Sequence, residues 1–278
     1  MGNPYKRIAI QGFEGSFHHK AANAFYGENI TLVPCNTFAE VFRQCAHDNN
    51  AESAVMALEN SIAGTILPNY QLLKASNLTV AGEIYLKINQ HLLALPGQEV
   101  NDITEVRSHH MAIKQCEEFL RQQPKITVIE TEDTALSAKI IKEQALRGVA
   151  AIAGEQAAQL YGLSIIRNNI ETVHNNYTRF LVLEKQHIPI EGANKASLLF
   201  SLQHQPSTLV TLLNIIAAYG FNITKIQSFP IIEEEWKYYF ALDIEFSSSS
   251  KLDKAIELMA VKTDYLKILG IYKKGITV

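Results

Sequence analysis

Cysteine is scarce in this chain: Cys35, Cys45 and Cys116 lie far apart among 278 residues, and no C-x-x-C pair occurs. That spacing offers neither a disulfide framework nor a zinc site, so each thiol is read as a small apolar filler and no metal is expected. An excess of one charge is also lacking. The formal net charge is −3 and no basic stripe runs along the chain, which argues against nucleic acid as the main partner. No apolar run approaches the roughly 18 residues needed to span a bilayer. The opening Met1-Gly2-Asn3-Pro4-Tyr5-Lys6-Arg7 has no signal-peptide core, and its Met-Gly start departs from a myristoylation site at Pro4 and Lys6. The sequence therefore predicts a soluble, cytoplasmic protein without a membrane partner. Neither G-x-G-x-x-G nor G-x-x-x-x-G-K-[ST] is present, so nucleotide binding has no support.

What the chain does have is core material. Hydrophobic residues make up 47% and charged residues 19%, enough to bury one large domain or two ordinary ones with little disorder. From residue 7 to about 185 one pattern repeats: a short continuous apolar run, a Gly or Ser junction, then a helix. Ile8–Ile10 leads through Gly12 and Gly15 to a helix near Phe17–Tyr26; Ala54–Leu58 leads to Glu59-Asn60-Ser61 and Gly64. Glu105-Val106-Arg107 leads to Ser108, read as the N-cap of a helix over His109–Arg121; Gly148–Ala153 leads to Gly154 and a helix over Glu155–Tyr161. Continuous apolar runs mark strands buried on both faces, and strand–helix alternation implies parallel pairing. Helical spacing also places Phe38, Val41, Phe42 and Cys45 on one face of Thr37–His47, and Leu136, Ile140 and Ile141 on one face of Thr134–Leu146. The expected class is α/β, with two lobes over 1–80 and 85–165 and a cleft between them.

The pattern stops at His187–Asn194, read as a linker. Beyond it the expected order is strand Ala196–Leu202, helix Pro206–Tyr219, strand Asn222–Ile231, strand Lys237–Phe246, helix Leu252–Val261 and strand Tyr265–Tyr272. Pro206 suits a first helical turn, and Gly220 a helix end. Phe240, Leu242, Ile244 and Phe246 alternate with Ala241, Asp243 and Glu245, which reads as a strand with one wet face. The order β-α-β-β-α-β is ferredoxin-like.

Ligands of parallel α/β sheets bind at strand carboxyl ends, where helix N-termini offer free N–H groups to anions. That rule selects Gly12–Ser16, whose alternative reading is an ordinary N-cap in a tight turn. It selects Glu59-Asn60-Ser61, three polar residues closing a buried strand, which can equally cap the next segment. It also selects Asn175–Phe180, where Arg179 suits bidentate capture of a carboxylate or pairing with a structural acid. The pairs His18-His19 and His109-His110 lack the i, i+4 spacing of metal ligands and read as surface or capping groups. Taken singly, these sites describe a cleft for a small anion.

Together they resemble a family. Gly12-Phe13-Glu14-Gly15-Ser16-Phe17 with Ala21-Ala22 is similar to the opening GPxGTF…AA signature of prephenate dehydratases, and Leu58–Thr65 to their ENSIxG segment. Ser108-His109 with Gln115-Cys116, and Ala151-Ile152-Ala153 with Tyr161-Gly162-Leu163, fall in the family's order, and Thr178-Arg179-Phe180 matches its TRF motif. The resemblance covers nearly the whole chain. It implies a two-lobed, periplasmic-binding-protein-like catalytic region over 1–187 and a C-terminal ACT regulatory domain over 195–278. It implies conversion of prephenate to phenylpyruvate with loss of water and carbon dioxide, driven by aromatisation and needing no metal or organic cofactor.

In that reading Thr178, Arg179 and Phe180 are catalytic, while Gly15, Ser16, Glu59, Asn60 and Ser61 bind substrate. A threonine hydroxyl is too weak an acid for full proton donation at neutral pH, so Thr178 is read as a positioned donor, with a water or a carboxylic acid such as Glu59 completing the transfer. The resemblance also implies phenylalanine as effector and a homodimer or homotetramer. The effector motifs depart from the family: Ser207-Thr208-Leu209 stand where it has GAL, and Gln227-Ser228-Phe229-Pro230 where it has ESRP. Ser207 crowds a position at which glycine gives close approach, which leaves open altered phenylalanine control or a module kept for dimerisation. Phe13, Ser16 and His110 are milder departures. Arogenate dehydratase and a non-catalytic amino-acid sensor remain as alternatives. No chorismate mutase helix is read before residue 7 or after the last domain, so a single activity is expected.

Overall fold

The computed structural model describes residues 5–48, 50–186, 190–232 and 234–278; Met1–Pro4 and the His187–Pro189 part of the expected linker lie outside them. The chain divides into two compact units. One comprises Met1–Thr65, Ile84–Phe180 and Thr277–Val278; the other comprises Ile66–Glu83 and Leu181–Ile276.

The chain runs β1 (Lys6–Gln11), α1 (Phe17–Tyr26), β2 (Ile30–Cys35), α2 (Phe38–Ala46), β3 (Ser53–Asn60), β4 (Gly64–Thr65), α3 (Leu67–Ala75) and β5 (Thr79–Lys87). It continues through β6 (His91–Ala94), β7 (Glu105–His109), α4 (His110–Gln115), α5 (Glu117–Arg121), β8 (Thr127–Thr131), α6 (Thr134–Glu143), β9 (Val149–Ala153), α7 (Glu155–Tyr161), β10 (Ser164–Arg167) and β11 (Tyr177–Glu184). The last part is β12 (Lys195–Ser201), α8 (Thr208–Ala218), β13 (Asn222–Pro230), β14 (Tyr238–Glu245), α9 (Ser249–Lys262), β15 (Tyr265–Tyr272) and β16 (Ile276–Thr277).

The first unit holds two lobes. One sheet has the order β16-β5-β11-β3-β1-β2, with β4 on β3, and the other the order β10-β6-β9-β7-β8. Parallel pairing holds for β1 with β2 and β3, and for β7 with β8 and β9. The strand β6 runs antiparallel to both its neighbours. Why β9 reads as a continuous apolar run is visible in its packing. Ala150 and Ile152 enter one core with Leu92, Val106 and Ala112, while Ala151 and Ala153 enter another with Ala135, Ala138 and Ala157. Successive side chains point to opposite faces, and here both faces are covered by helices. The three cysteines are buried and none forms a disulfide among the described residues, as fillers should be.

Two local expectations need correction. Ser108 is not an N-cap: β7 runs two residues further, to His109, and the buried Ser108 hydroxyl donates to the Ile152 carbonyl at 2.6 Å. The cap is His109, whose Nδ1 accepts from Met111 N at 3.3 Å. The helix expected over His109–Arg121 is also two short ones meeting at Cys116.

In the second unit the sheet order β13-β14-β12-β15, all antiparallel, is that of a ferredoxin-like module. One face carries Leu198, Phe200, Leu242 and Ile244 against Leu212 and Ile216 of α8 and Leu252 and Met259 of α9. Pro206 lies before the first helical turn; Ser207 is the N-cap, in left-handed backbone at φ 68°. The opposite face is not wet. Asp243 is 3% exposed, its carboxylate accepting from Ser197 Oγ at 2.5 Å, while Ser197 also bonds the Tyr272 hydroxyl at 2.7 Å. Residues 66–83 of the same unit cover this face. Lys195 Nζ bonds both Glu83 oxygens at 2.8 and 2.9 Å, and Tyr70 stacks on Phe229 at 5.7 Å. Lys267 caps the end of α3 through the carbonyls of Leu73, Lys74 and Ser76. Alternation in β14 thus reported the pleat correctly, but not which face met water.

Candidate active site

The strand β3 ends in a turn that its own side chain holds. Asn60 Oδ1 accepts the N–H groups of Ile62 at 3.0 Å and Ala63 at 2.9 Å, an Asx turn that fixes which way the amide faces. The other end of that amide, Nδ2, reaches the start of β11. It donates to Asn176 Oδ1 at 2.6 Å and Thr178 Oγ1 at 2.9 Å, with the Tyr177 carbonyl at 3.3 Å. Ser61 locks the same junction: Ser61 N donates to Tyr177 O at 2.8 Å, Tyr177 N to Ser61 Oγ at 2.9 Å, and Ser61 Oγ to Asn175 O at 3.3 Å. The structure thus joins Asn60, Ser61 and Thr178. Glu59 pairs with Thr65 across β3 and β4.

Strand alternation separates the rest of the Thr178-Arg179-Phe180 motif. Thr178 and Phe180 share one face of β11, and Arg179 takes the other, its guanidinium 6.0 Å from the Tyr85 ring centre. Phe180 packs edge-on against His18 of α1, with ring centres 5.0 Å apart, and His18 also leans on Phe38. His18 Nε2 accepts from Ala57 N at 3.3 Å, and burial depresses the ring's pKa to about 3. It is a neutral packing group, in neither the surface nor the capping role expected of these pairs.

Gly15 and Ser16 form a different cluster. Ser16 Oγ caps α1 by accepting from His19 N at 3.3 Å, and Gly15 N donates to His19 Nδ1 at 3.0 Å. Gly12 and Gly15 both have positive φ and lie against the other lobe of this unit. A Cβ on Gly12 would meet Asp133 Oδ2 at 2.7 Å, and one on Gly15 would meet Ala157 Cα at 3.2 Å. Asp133 was missed by sequence reasoning. It caps α6 by accepting from Leu136 N at 2.9 Å, and burial raises its carboxyl pKa although the helix amides pull the other way. An aspartate directly before a periodic apolar run was the available signal.

Two cavities open beside these clusters, and neither is lined by Gly15, Ser16, Glu59, Asn60, Ser61 or Thr178. One of about 620 Å³ lies where β1, β2, β7 and β8 end, with Gly12, Phe13, His109, His110, Glu130 and Asp133 on its walls. Another of about 370 Å³ runs between Ile62-Ala63, the turn that Asn60 holds, and Met111, Lys114, Gln115 and Arg121 of α4 and α5. Both suit a small polar ligand. In the second, Lys114 and Arg121 share the wall with Glu117 and Glu118, and Arg121 bonds Glu117 Oε1 at 3.0 Å.

The expected effector residues divide in the second unit. Thr208 and Leu209 line a cavity of about 360 Å³ with Trp236, Tyr238 and Phe240. Thr208 Oγ1 donates to the Gln203 and Gln205 carbonyls, and Ser207 holds the left-handed backbone that favours glycine. Gln227, Ser228, Phe229 and Pro230 lie on β13. Phe229 is buried between Tyr70 and Tyr239, and Gln227 Nε2 donates to Ser228 O.

Fold and site define a two-lobed α/β protein whose strand ends carry a threonine oriented by an asparagine, followed by a ferredoxin-like module. The prephenate dehydratase family model matches residues 8–188, and the chain belongs to that family. A bifunctional chorismate mutase/prephenate dehydratase of Aquifex aeolicus is 34% identical over 97% of this chain and 74% of its own length. The chloroplastic arogenate dehydratase/prephenate dehydratase 2 of Arabidopsis thaliana is 34% identical over 96% of this chain and 72% of its own. Among solved structures, GqqA, described as a novel type of quorum quenching acylase, superposes with a TM-score of 0.85. It is 28% identical over 97% of this chain and 98% of its own.

Proposed function

We propose that the protein converts prephenate to phenylpyruvate, water and carbon dioxide, with Thr178 donating a hydrogen bond to the departing ring hydroxyl. Loss of the ring carboxylate as carbon dioxide sends its electron pair into the ring; the C–O bond breaks, and the departing oxygen takes a proton to leave as water. The observation that carries this reading is the 2.9 Å bond from Asn60 Nδ2 to Thr178 Oγ1, which joins the two motifs most specific to the family. A buried hydroxyl held by a fixed amide is the preorganised donor such a step requires. Lys114 lines the same cavity as the Ile62-Ala63 turn, and we assign it to a substrate carboxylate, while Arg121 on that wall is paired with Glu117. Arg179, on the far side of β11, supports the strand through Tyr85. Gly15, Ser16 and Glu59 stay as substrate-side candidates through the clusters described above.

Arogenate is the second substrate reading, favoured by the identity to the plant dehydratase of dual description. Residues 1–187 serve in this proposal as the catalytic region and 195–278 as an ACT regulatory domain, in a cytoplasmic homodimer or homotetramer. Phenylalanine control is altered, because Ser207 occupies a glycine conformation and Phe229 is committed to packing. A fold can host other chemistry, so the test offers several substrates. Purified protein is assayed for phenylpyruvate from prephenate, phenylalanine from arogenate, and cleavage of an acylated substrate, across a titration of L-phenylalanine. Turnover of prephenate supports the proposal. Turnover of arogenate alone moves it to the second reading, and cleavage of the acyl substrate alone, or binding without turnover, overturns it.

A further inference from the structure

The hydrogen-bond chain at the end of β3 has a direction. Backbone N–H groups can only donate, so the bonds from Ile62 and Ala63 make one end of the Asn60 amide the oxygen. The other end is then NH₂, with two hydrogens and no accepting capacity. Its two short contacts, Asn176 Oδ1 at 2.6 Å and Thr178 Oγ1 at 2.9 Å, take one hydrogen each. Thr178 Oγ1 is therefore an acceptor toward Asn60, and its own hydrogen must point elsewhere. Asn176 is fully buried and anchors the chain: its Oδ1 is used by Asn60, and its Nδ2 has no hydrogen-bond partner among the described residues.

We infer that Asn60 is a positioning residue that sets the direction of the Thr178 hydroxyl, turning its hydrogen away from the protein and toward the departing oxygen of the substrate. The inference rests on the reading of Thr178 as the donor. A hydroxyl free to rotate would spend part of its time donating inward, to the Tyr177 carbonyl or to an amide oxygen. The Asn60 hydrogen occupying a lone pair on Oγ1 excludes the rotamer that aims the hydroxyl hydrogen at that amide, which narrows its directions before substrate arrives, the kind of preorganisation that acts on the transition state more than on binding.

The test reverses the chain with one atom. In Asn60→Asp, one carboxylate oxygen still accepts from Ile62 and Ala63, while the other replaces the donor with an acceptor and draws the Thr178 hydrogen inward. Protonation of that carboxyl restores a donor. The kcat of Asn60→Asp, taken as a ratio to wild type, should fall by about tenfold or more between about pH 5 and pH 8, as a carboxyl gives up its proton, with KM within about twofold. The surrounding ionisable groups are His18 on α1, Glu59 and Tyr177 beside the pair, and Arg179 with Tyr85 across β11. They are common to both proteins, so the ratio cancels them. A ratio indifferent to pH, or a loss carried by KM, overturns the inference.

Thr178→Val keeps the two readings apart. If it loses kcat while the Asn60→Asp ratio stays flat, only the positioning role fails; if Thr178→Val is fully active, the donor reading itself fails. Should Asn60→Asp not fold by circular dichroism, Asn60→Ala carries the question. A fall in kcat at unchanged KM supports the role, and a KM-led loss overturns it.

Discussion

Each unit of this protein buries a polar network, and the two differ in how completely they are satisfied. In the second unit Lys195 and Glu83 are 1% and 0% exposed at the side chain, both Glu83 oxygens bond Lys195, and Gly275 N adds a third bond at 3.1 Å. Ser197, Asp243 and Tyr272 form a second buried set of bonds in the same unit. In the first unit the network is neutral, made of amides and a hydroxyl, and it ends on groups with hydrogens left over: Asn176 Nδ2 and the Thr178 hydroxyl. A saturated network has nothing left to offer a ligand and serves to hold elements in register. An incompletely satisfied one retains bonding capacity for something that arrives. The difference predicts which mutations unfold the protein and which merely silence it.

The largest effect on stability is expected at the saturated network. Glu83→Ala leaves a buried ammonium without its carboxylate and should cost about 3–5 kcal/mol in denaturant unfolding. A double replacement of Glu83 and Lys195 by apolar residues of similar volume should recover most of it. A loss below about 1 kcal/mol for Glu83→Ala would break the comparison from one side.

The unsaturated network should respond through rate. Thr178→Val is expected to lower kcat by about 10²–10³, equivalent to about 2.7–4 kcal/mol of barrier, with little change in melting temperature, while Thr178→Ser keeps most activity. Unfolding in place of inactivation would show that this hydroxyl too is structural. Arg179→Lys tests the far face of β11. Because the guanidinium lies over Tyr85, the variant should lose stability with kcat nearly intact; a loss of kcat at unchanged stability would return Arg179 to the chemistry.

His18 gives a pH signature. Its folded-state pKa is lowered by burial from 6.5 to about 3, so between those values the unfolded chain binds a proton that the folded chain does not. Stability is therefore fully present above about pH 6.5 and declines as pH falls toward about 3. His18→Phe should flatten that decline, as read from urea unfolding at pH 7.5 and pH 4.5; an unchanged slope would remove His18 as its source. The smallest effect belongs to Ser207→Gly. Relieving left-handed backbone at φ 68° should stabilise by about 0.5–1 kcal/mol net of the greater freedom of glycine in the unfolded chain. A destabilised variant would show that the Ser207 side chain contributes something the turn needs.

Much of this was legible in the sequence, for identifiable reasons. Buried parallel strands announce themselves as continuous apolar runs, so β1, β3, β7 and β9 were found, β1 and β9 with their helices, while α3 after β3 was not expected and the helix after β7 proved to be two. The strand Tyr265–Tyr272 was found to the residue. The terminal module was readable because its elements alternate in a fixed order. Motif residues were named one by one. Their partnerships were not: Asn60 and Thr178 stand 118 residues apart, and nothing local marks either as the other's partner. Asp133 escaped notice for the same reason, and Asn176 was given no role within its segment, since a capping aspartate and an asparagine before a strand look ordinary until burial gives them weight.

The sequence alone determined the elements, because strand and helix periodicities are set by backbone geometry and by where apolar side chains recur. It also determined the family, through motifs whose order survives in the chain. Only the tertiary structure decided which strand face met water, as at Asp243, which face of β11 received Arg179, and which way the Thr178 hydroxyl can donate. Those outcomes depend on segments distant in sequence arriving at the same place. Burial and the direction of a hydrogen bond are properties of what surrounds a residue, and the surroundings exist only once the chain has folded.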